Sequence, residues 1–171
     1  MRIYLIGYMA SGKSNLGRIL AGKLGYRFID LDWLFEERYR ISVLDFFEKY
    51  DELVFRKIER LLLHETIDLE DVVISTGGGT PCFYDNMDFI RQAGLSVYLL
   101  WDVPALVGRL KMVKRKRPLL KDIPPAELEE KVSAQLAQRG FFYNQADIVT
   151  KGENINLDDL LFQIRALKAR S

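Results

Sequence analysis

Residues 7–14 carry an uninterrupted phosphate-binding pattern, G-x-x-x-x-G-K-[ST]. The backbone N–H groups of such a loop can wrap a phosphate, Lys13 can reach the β- and γ-phosphates of a nucleoside triphosphate, and the Ser14 hydroxyl can ligate Mg²⁺. An apolar run precedes the loop and an amphipathic pattern follows it, as this strand–loop–helix motif requires. The pattern predicts ATP or another nucleoside triphosphate as ligand, bound by Gly7, Ala10, Ser11, Gly12, Lys13, Ser14 and Asn15.

Two acids, Asp30 and Asp32, end the second apolar run of the chain. In a parallel sheet they would lie beside the phosphate loop, where one could hold Mg²⁺ through water and the other could accept a proton from an attacking hydroxyl. The alternative for Asp32 is an N-cap of the helix that follows, which would leave Asp30 unexplained. Because the third strand ends in Ser75 and Thr76 with no acid, Asp30 is the predicted metal-linked carboxylate.

Three consecutive glycines, Gly77, Gly78 and Gly79, follow the third apolar run. Glycine allows a ligand to approach the backbone closely, so the N–H groups of this triplet could donate to a substrate; a flexible turn is the alternative. Arg56 and Arg139 could together bind a carboxylate through bidentate hydrogen bonds, although each alone could be a surface charge. The single histidine, His64, is expected to be structural, so a histidine base is not predicted.

Residues 109–121 contain seven basic side chains and no acid. This segment predicts a mobile lid that places cations over bound phosphates; a solvated helix end is the alternative. A nucleic-acid surface is disfavoured, because the segment lacks interleaved aromatic residues and the net charge of the chain is only +1.

The composition predicts one globular domain, which must position the candidate site residues. The chain has 171 residues, of which 49% are hydrophobic and 29% charged. One cysteine, Cys82, excludes an intrachain disulfide and favours a reducing compartment, and no stretch approaches the length of a membrane span. We therefore expect a cytoplasmic protein that binds neither membranes nor nucleic acid.

Apolar runs and amphipathic patterns alternate along the chain, which predicts a parallel sheet covered by helices on both faces. Ligands of such sheets gather at the carboxyl ends of the strands. The predicted strands are Arg2–Ile6, 26–29, 71–75, 96–100 and 147–150. The predicted helices are Lys13–Leu24, 31–40, Val43–Lys49, 52–67, Asn86–Ala93, 104–112, 126–145 and 157–169.

The motifs together resemble the shikimate kinases over nearly the whole chain. The resemblance rests on the loop at 7–14, Asp30-x-Asp32, Phe55-Arg56 with Glu59, the glycine triplet, Arg117-Pro118-Leu119-Leu120, and Arg139 with Tyr143. It implies a three-layer P-loop fold like that of nucleoside monophosphate kinases, with a five-stranded parallel sheet in the order 2-3-1-4-5. It also implies a monomer that transfers the γ-phosphate of ATP to the 3-hydroxyl of shikimate, with Mg²⁺ as cofactor, in the pathway to chorismate.

The resemblance implies a role for each matching residue. Lys13, Asp32 and Arg117 would be catalytic, with Asp32 as the candidate base, and Ser14 and Asp30 would hold the metal, Asp30 through water. Shikimate would contact Asp32, Arg56, Gly77, Gly78, Gly79 and Arg139, and the substrate-binding helices would lie at about 32–61. Arg117 would act from a lid at about 111–125, and Arg109 and Asn156 are predicted to contact ATP from their positions alone. The chain has Ala10 and Asn15 where the family commonly has glycine and threonine, and lacks the usual proline after Arg139.

Two other functions fit part of the pattern. A kinase for another carboxylated polyol, such as gluconate, would also use an arginine pair. A nucleotide-dependent switch of the GTPase type would need an Asn-Lys-x-Asp motif, and an Asp-x-x-Gly after the third strand, and the chain has neither. A binding module without activity is disfavoured because every catalytic position of the family match is occupied.

Overall fold

Five parallel strands form one sheet at the centre of the computed structural model, which describes residues 1–112, 123–124 and 126–169. The strands are β1 (Arg2–Ile6), β2 (Arg27–Asp30), β3 (Val72–Ser75), β4 (Leu95–Leu100) and β5 (Ile148–Lys151). Their order is β2-β3-β1-β4-β5, which confirms the order implied by the resemblance. The central strands β1 and β3 are apolar along almost their whole length, because helices cover both faces of the sheet.

Eight α-helices surround this sheet within the described ranges. They are α1 (Lys13–Leu24), α2 (Leu31–Tyr39), α3 (Val43–Lys49), α4 (Glu52–Glu65), α5 (Asn86–Ala93), α6 (Val103–Met112), α7 (Leu128–Tyr143) and α8 (Leu157–Lys168). The helix predicted over 52–67 ends earlier, because its last residues tighten into a 3-10 turn at Thr66–Asp68. The helix predicted over 126–145 is also shorter at both ends. No helix of the described residues is long and apolar enough to cross a membrane.

Local capping explains where several helices begin and end. Gly25 ends α1 in the left-handed conformation at φ 69°, as its position after the amphipathic run predicts. Asp51 begins α4 by accepting a hydrogen bond from the backbone N–H of Val54. These caps orient α1 and α4, the two helices that carry Lys13 and Arg56.

The register of the sheet brings the predicted site residues to one edge. Asp30 of β2 and Leu5 of β1 both pair with Ser75 of β3, so the three strands end at the same level. Thr76 reinforces this edge, because both its N–H and its hydroxyl donate to the carbonyl of Leu5, at 3.1 Å and 3.0 Å. The phosphate loop, the acid pair and the glycine triplet are therefore neighbours, although the loop and the triplet are far apart in the chain.

Candidate active site

Lys13 lies inside the loop at 7–14 and is 8% exposed. Its ammonium donates to the carbonyls of Gly7 and Tyr8, both at 2.8 Å, and to the Ser11 hydroxyl at 3.4 Å. Gly7 adopts φ 139° and has no room for a side chain, because a Cβ there would lie 2.9 Å from the carbonyl oxygen of Leu99. The loop thus forms a compact cradle around a buried positive charge.

Ser14 and Asp30 form an oxygen pair beside this cradle. The Ser14 hydroxyl donates to Oδ2 of Asp30 at 2.5 Å, and the Ser75 hydroxyl lies 3.5 Å from that of Ser14. Oδ1 of Asp30 accepts a hydrogen bond from the backbone N–H of Asp32, at 3.1 Å, which makes Asp30 the N-cap of α2. The alternative that Asp32 is the cap is therefore wrong: the strand end itself caps the helix, and the Asp32 side chain lies in the first helical turn.

A cavity of about 180 Å³ opens over the loop and the acid pair. Its walls include the predicted residues Ala10, Gly12, Lys13, Ser14, Asn15, Asp30, Asp32, Gly78 and Arg109. Arg109 donates to the carbonyl of Ala10 at 2.6 Å and stacks over the Trp101 ring, with its guanidinium carbon 4.5 Å from the ring centroid. The Trp101 indole in turn donates to the carbonyl of Ser11 at 2.9 Å. One aromatic and one cationic side chain, Trp101 and Arg109, thus hold the outer side of the loop.

A second cavity, of about 70 Å³, lies next to the first. Its walls are Met9, Asp32, Val43, Phe47, Phe55, Arg56, Glu59, Gly77, Gly78, Gly79 and Arg139. Met9, Asp32 and Gly78 belong to both cavities. A ligand in one cavity would therefore meet a ligand in the other beside the Asp32 carboxylate.

Arg56 is buried in the second cavity within a ring of acidic and aromatic side chains. Its guanidinium donates to Glu59 at 2.8 Å and to Glu52 at 2.9 Å, and lies 4.2 Å from the centroid of Phe83. Burial opposes the charge, but the two glutamates outweigh it and raise the pKa of Arg56. Glu59, which is 4% exposed, also accepts from the Thr80 hydroxyl at 2.6 Å. Arg56 is thus held rigidly with its charge neutralised.

Arg139 is 9% exposed, and its Nη1 atom has no hydrogen-bond partner among the described residues. No acid of that part of the chain pairs with it. Because an unsatisfied buried donor is costly, such a group indicates a missing acceptor. The arginine lines the second cavity, so a carboxylate there would supply that acceptor.

The glycine triplet forms the floor of the second cavity and leaves no room for side chains. A Cβ on Gly77 would lie 2.6 Å from Oε1 of Glu59, and one on Gly79 would lie 2.7 Å from the Arg56 guanidinium. The carbonyl of Gly78 accepts a hydrogen bond at 2.5 Å from the buried Tyr143 hydroxyl. The triplet is thus closely packed and anchored through Gly78 to Tyr143.

Several residues of the two cavities were not predicted as site residues. Glu59 was recognised only as part of the family match, and its link to Thr80 has no local signature. Met9 and Phe47 are apolar residues whose sequence positions do not distinguish a cavity wall from a core residue. Topology alone brings them to the site.

Some predicted site residues do not line either cavity, or lie outside the residues that the structure describes. Asn156 is exposed and caps α8 by accepting from the N–H of Asp159 at 3.1 Å, so its contact with ATP stays a prediction. Arg117 and most of the predicted lid at 111–125 lie outside the described residues.

A larger hollow of about 490 Å³ lies at the opposite edge of the sheet. The partly buried cation in its wall, Arg2, already donates to the carbonyls of Ala93, Ile67 and Leu69. Asp147, also in its wall, is bonded to the backbone and hydroxyl of Ser96. Because Arg2 and Asp147 are both hydrogen-bonded within the protein, neither is an evident ligand-binding group, unlike Arg139 at the carboxyl edge of the sheet.

Comparison with known proteins gives a consistent result. A family model described as shikimate kinase matches residues 9–166. The chain is 43% identical to the shikimate kinase of Bacteroides thetaiotaomicron, over 91% of this chain and 89% of that protein. It is 44% identical to that of Parabacteroides distasonis, over 90% and 89%.

Solved structures of similar proteins share the whole fold. The crystal structure of shikimate kinase from Bacteroides thetaiotaomicron has a TM-score of 0.86 at 40% identity and covers 99% of this chain and 97% of that one. A shikimate kinase from Acinetobacter baumannii in complex with shikimate has a TM-score of 0.85 at 32% identity, over 99% and 93%. A gluconokinase from Sinorhizobium meliloti has a TM-score of 0.59 at 17% identity, over 98% and 91%, and so shares only the fold.

Proposed function

The chain belongs to the shikimate kinase family, and we propose that the two adjoining cavities hold ATP and shikimate for the transfer that this family catalyses. The reaction is phosphorylation of the 3-hydroxyl of shikimate by ATP, giving shikimate 3-phosphate. The observation that carries the assignment of the cavities is their shared wall of Met9, Asp32 and Gly78. Phosphoryl transfer depends mainly on positioning and charge neutralisation, and a shared wall supports both.

Arg139 is proposed as the main ligand of the shikimate carboxylate. Its buried, unpartnered Nη1 favours this role over Arg56, whose charge Glu52 and Glu59 already neutralise. Arg56 then supports the acceptor as a rigid hydrogen-bonding surface together with the glycine triplet. This division refines the expectation that Arg56 and Arg139 together bind the carboxylate.

Asp32 is proposed to bind the shikimate hydroxyls and to accept the proton of the attacking one. Its carboxylate lies between the two cavities, and a Cβ on Gly77 would lie 3.2 Å from its Oδ1 atom. Such a position places the side chain beside the atoms that react. Asp30, which is engaged by Ser14 and caps α2, is not available for that role.

Ser14 and Asp30 are proposed to hold Mg²⁺ with the nucleotide, Asp30 through water. Their oxygens lie 2.5 Å apart, and hydroxyl and carboxylate oxygens suit Mg²⁺. Mg²⁺ usually keeps several waters and is held by one or two carboxylates together with substrate phosphates, so the pair would complete its coordination with ATP. When bound, Mg²⁺ supplies positive charge to the phosphates, while Lys13 exchanges its loop carbonyls for phosphate oxygens.

Arg117 is proposed to act from a lid at 111–125 on the transferring phosphoryl group. The support is the run of basic residues at 109–121, together with Arg109, whose guanidinium already borders the ATP cavity. A lid cation would neutralise charge on the equatorial phosphate oxygens, and closure would exclude water. Arg109 and Asn156 are proposed to contact the nucleotide.

The remaining proposals concern organisation and surroundings. We infer a single domain over residues 1–171, with the substrate-binding helices at about 32–61. The chain is proposed to act as a cytoplasmic monomer with no nucleic-acid partner.

A coupled assay of ADP release tests the function. Purified protein is incubated with ATP and Mg²⁺, and with shikimate, quinate, gluconate or no acceptor. Rapid ADP release only with shikimate is the expected result. Equal release with gluconate would favour the alternative acceptor, and slow release that ignores every acceptor would favour a nucleotide-dependent switch.

A further inference from the structure

Tyr8 is a loop residue whose side chain leaves the loop and enters the protein interior. It is 1% exposed and packs with Leu106, Val107 and Val132. Its hydroxyl donates to Oε1 of Gln135 on α7 at 2.5 Å. A phosphate loop uses backbone groups and needs no such side chain, so the phosphate-binding motif leaves Tyr8 unexplained.

The ring of Tyr8 lies against the arginine that is proposed to bind the acceptor. The guanidinium carbon of Arg139 is 5.3 Å from the ring centroid, within the range of a cation–π interaction. Gln135 and Arg139 are one helical turn apart on α7, so Tyr8 contacts that helix at two successive positions. Burial raises the pKa of Tyr8 to about 12 although Arg139 opposes the shift, so the ring is a neutral phenol at neutral pH.

A neutral aromatic ring suits this position for an electrostatic reason. An acid there would neutralise Arg139, as Glu59 neutralises Arg56, and would compete with an incoming carboxylate. An aliphatic side chain would remove the attraction between the ring face and the guanidinium. The ring attracts the cation through its face and uses none of the N–H donors, so Nη1 stays unpaired at the cavity.

We propose that Tyr8 is a positioning residue that holds Arg139 in the orientation in which its guanidinium binds the acceptor carboxylate. The inference rests on the proposed function, because it assumes that Arg139 binds that carboxylate. Tyr8 meets the phosphate loop cation through its backbone carbonyl, which accepts from Lys13 at 2.8 Å and which a side-chain replacement leaves in place. We therefore expect such a replacement to affect the acceptor more than ATP.

Steady-state kinetics of Tyr8→Leu and Tyr8→Phe test the proposal. Losing the ring in Tyr8→Leu is expected to raise the KM for shikimate roughly 3- to 30-fold, which corresponds to a partly desolvated cation–π contact. The KM for ATP should change less than about twofold, because the backbone carbonyl that accepts from Lys13 is kept. Tyr8→Phe keeps the ring and should retain most of the shikimate affinity. Tyr8→Met, which fills similar space without a ring, provides a second non-aromatic variant if Tyr8→Leu does not fold.

Tyr4 provides a matched control, since it is also a fully buried tyrosine near the same end of the chain, with its hydroxyl bonded to Thr66 at 2.8 Å. Tyr4→Leu should lower stability and leave both KM values near those of the wild type. Equal effects of Tyr4→Leu and Tyr8→Leu on the KM for shikimate would reduce Tyr8 to a packing role and overturn the proposal.

A double-mutant cycle with Arg139→Ala separates this inference from the function on which it rests. In the Arg139→Ala background, Tyr8→Leu should cause no further loss of shikimate affinity, since the two residues act through one contact. If the losses of shikimate affinity in the two single variants add up in the double variant, the proposal about Tyr8 is wrong and the proposed function stands. If the wild type turns over no shikimate, or if Arg139→Ala leaves the KM unchanged, the assignment of the acceptor site fails first.

Discussion

Arg56 and Arg139 line the same cavity, but of these two arginines only Arg56 forms ion pairs with acidic side chains of the described residues. The buried cavity therefore contains one compensated and one uncompensated guanidinium. Because a carboxylate ligand gains most from the uncompensated one, the two arginines are not interchangeable. Their difference leads to the first prediction.

Replacing Arg139 by alanine should weaken shikimate binding strongly. Loss of one partner of a buried charge pair costs about 2–5 kcal/mol, so the KM for shikimate should rise at least roughly 30-fold while the KM for ATP is unchanged. Steady-state kinetics measure both constants. Arg60→Ala is a suitable control, because that arginine is partly exposed and pairs with Asp85. An unchanged KM for shikimate would remove Arg139 from the acceptor site.

Replacing Asp32 by asparagine should reduce kcat more than it changes either KM. Removal of a general base lowers rates by roughly 10²- to 10⁴-fold, whereas the amide keeps the shape of the side chain. Single-turnover measurements with saturating shikimate and ATP isolate the chemical step. A kcat near that of the wild type would leave Asp32 as a group that only positions the hydroxyl.

Alanine in place of Gly79 should disturb Arg56. The new Cβ would lie 2.7–2.9 Å from the guanidinium atoms, which two glutamates and Phe83 hold in place. We expect a loss of about 1–3 kcal/mol in the free energy of unfolding and a higher KM for shikimate. Gly22→Ala has open space around it in α1 and should instead be neutral or stabilising. Chemical denaturation compares the two variants.

Glycine in place of Ala10 should stabilise the protein slightly. Ala10 adopts φ 61°, a left-handed conformation that disfavours a Cβ by about 1–2 kcal/mol. The greater freedom of glycine in the unfolded chain offsets about 0.4–1 kcal/mol of this gain. Ala21→Gly, in the middle of α1, should have the opposite sign. Denaturation midpoints that fall in both variants would exclude strain at Ala10.

The ion pair between Asp85 and Arg60 should make the free energy of unfolding depend on pH in the acid range. Its hydrogen bond from Arg60 lowers the pKa of Asp85 to about 2, below the unfolded value of about 3.9. The unfolded chain therefore binds more protons between these values, so the contribution is present above about pH 4 and is lost as the pH falls towards 2. Asp85→Asn should flatten the pH dependence of the free energy of unfolding in this window, which chemical denaturation at a series of acid pH values measures. An unchanged pH dependence in Asp85→Asn would exclude this contribution.

Local patterns predicted the elements and motifs of this fold well. The alternation of apolar and amphipathic segments predicted five strands and eight helices, because each pattern reports directly which face is buried. The resemblance supplied the strand order. The errors occurred at element ends, such as the 3-10 turn at Thr66–Asp68, where small differences in hydrogen bonding decide the boundary.

Contacts between distant residues could not be predicted in the same way. The two acids Asp30 and Asp32 both suit a cap, and only the register with β3 decides that Asp30 caps α2. The contact of Tyr8 with Gln135 joins residues 127 positions apart, with no local periodicity to reveal it. The neutralisation of Arg56 but not Arg139 likewise depends on which acids the fold brings close.

The central position of β1 has a consequence for synthesis of the chain on the ribosome. This first strand pairs on one side with β3 and on the other with β4, which ends at Leu100. Gly7 of the phosphate loop also abuts the carbonyl of Leu99. The phosphate loop is therefore translated well before one of its walls, and the loop is complete only after the strand ending at Leu100 has emerged from the exit tunnel.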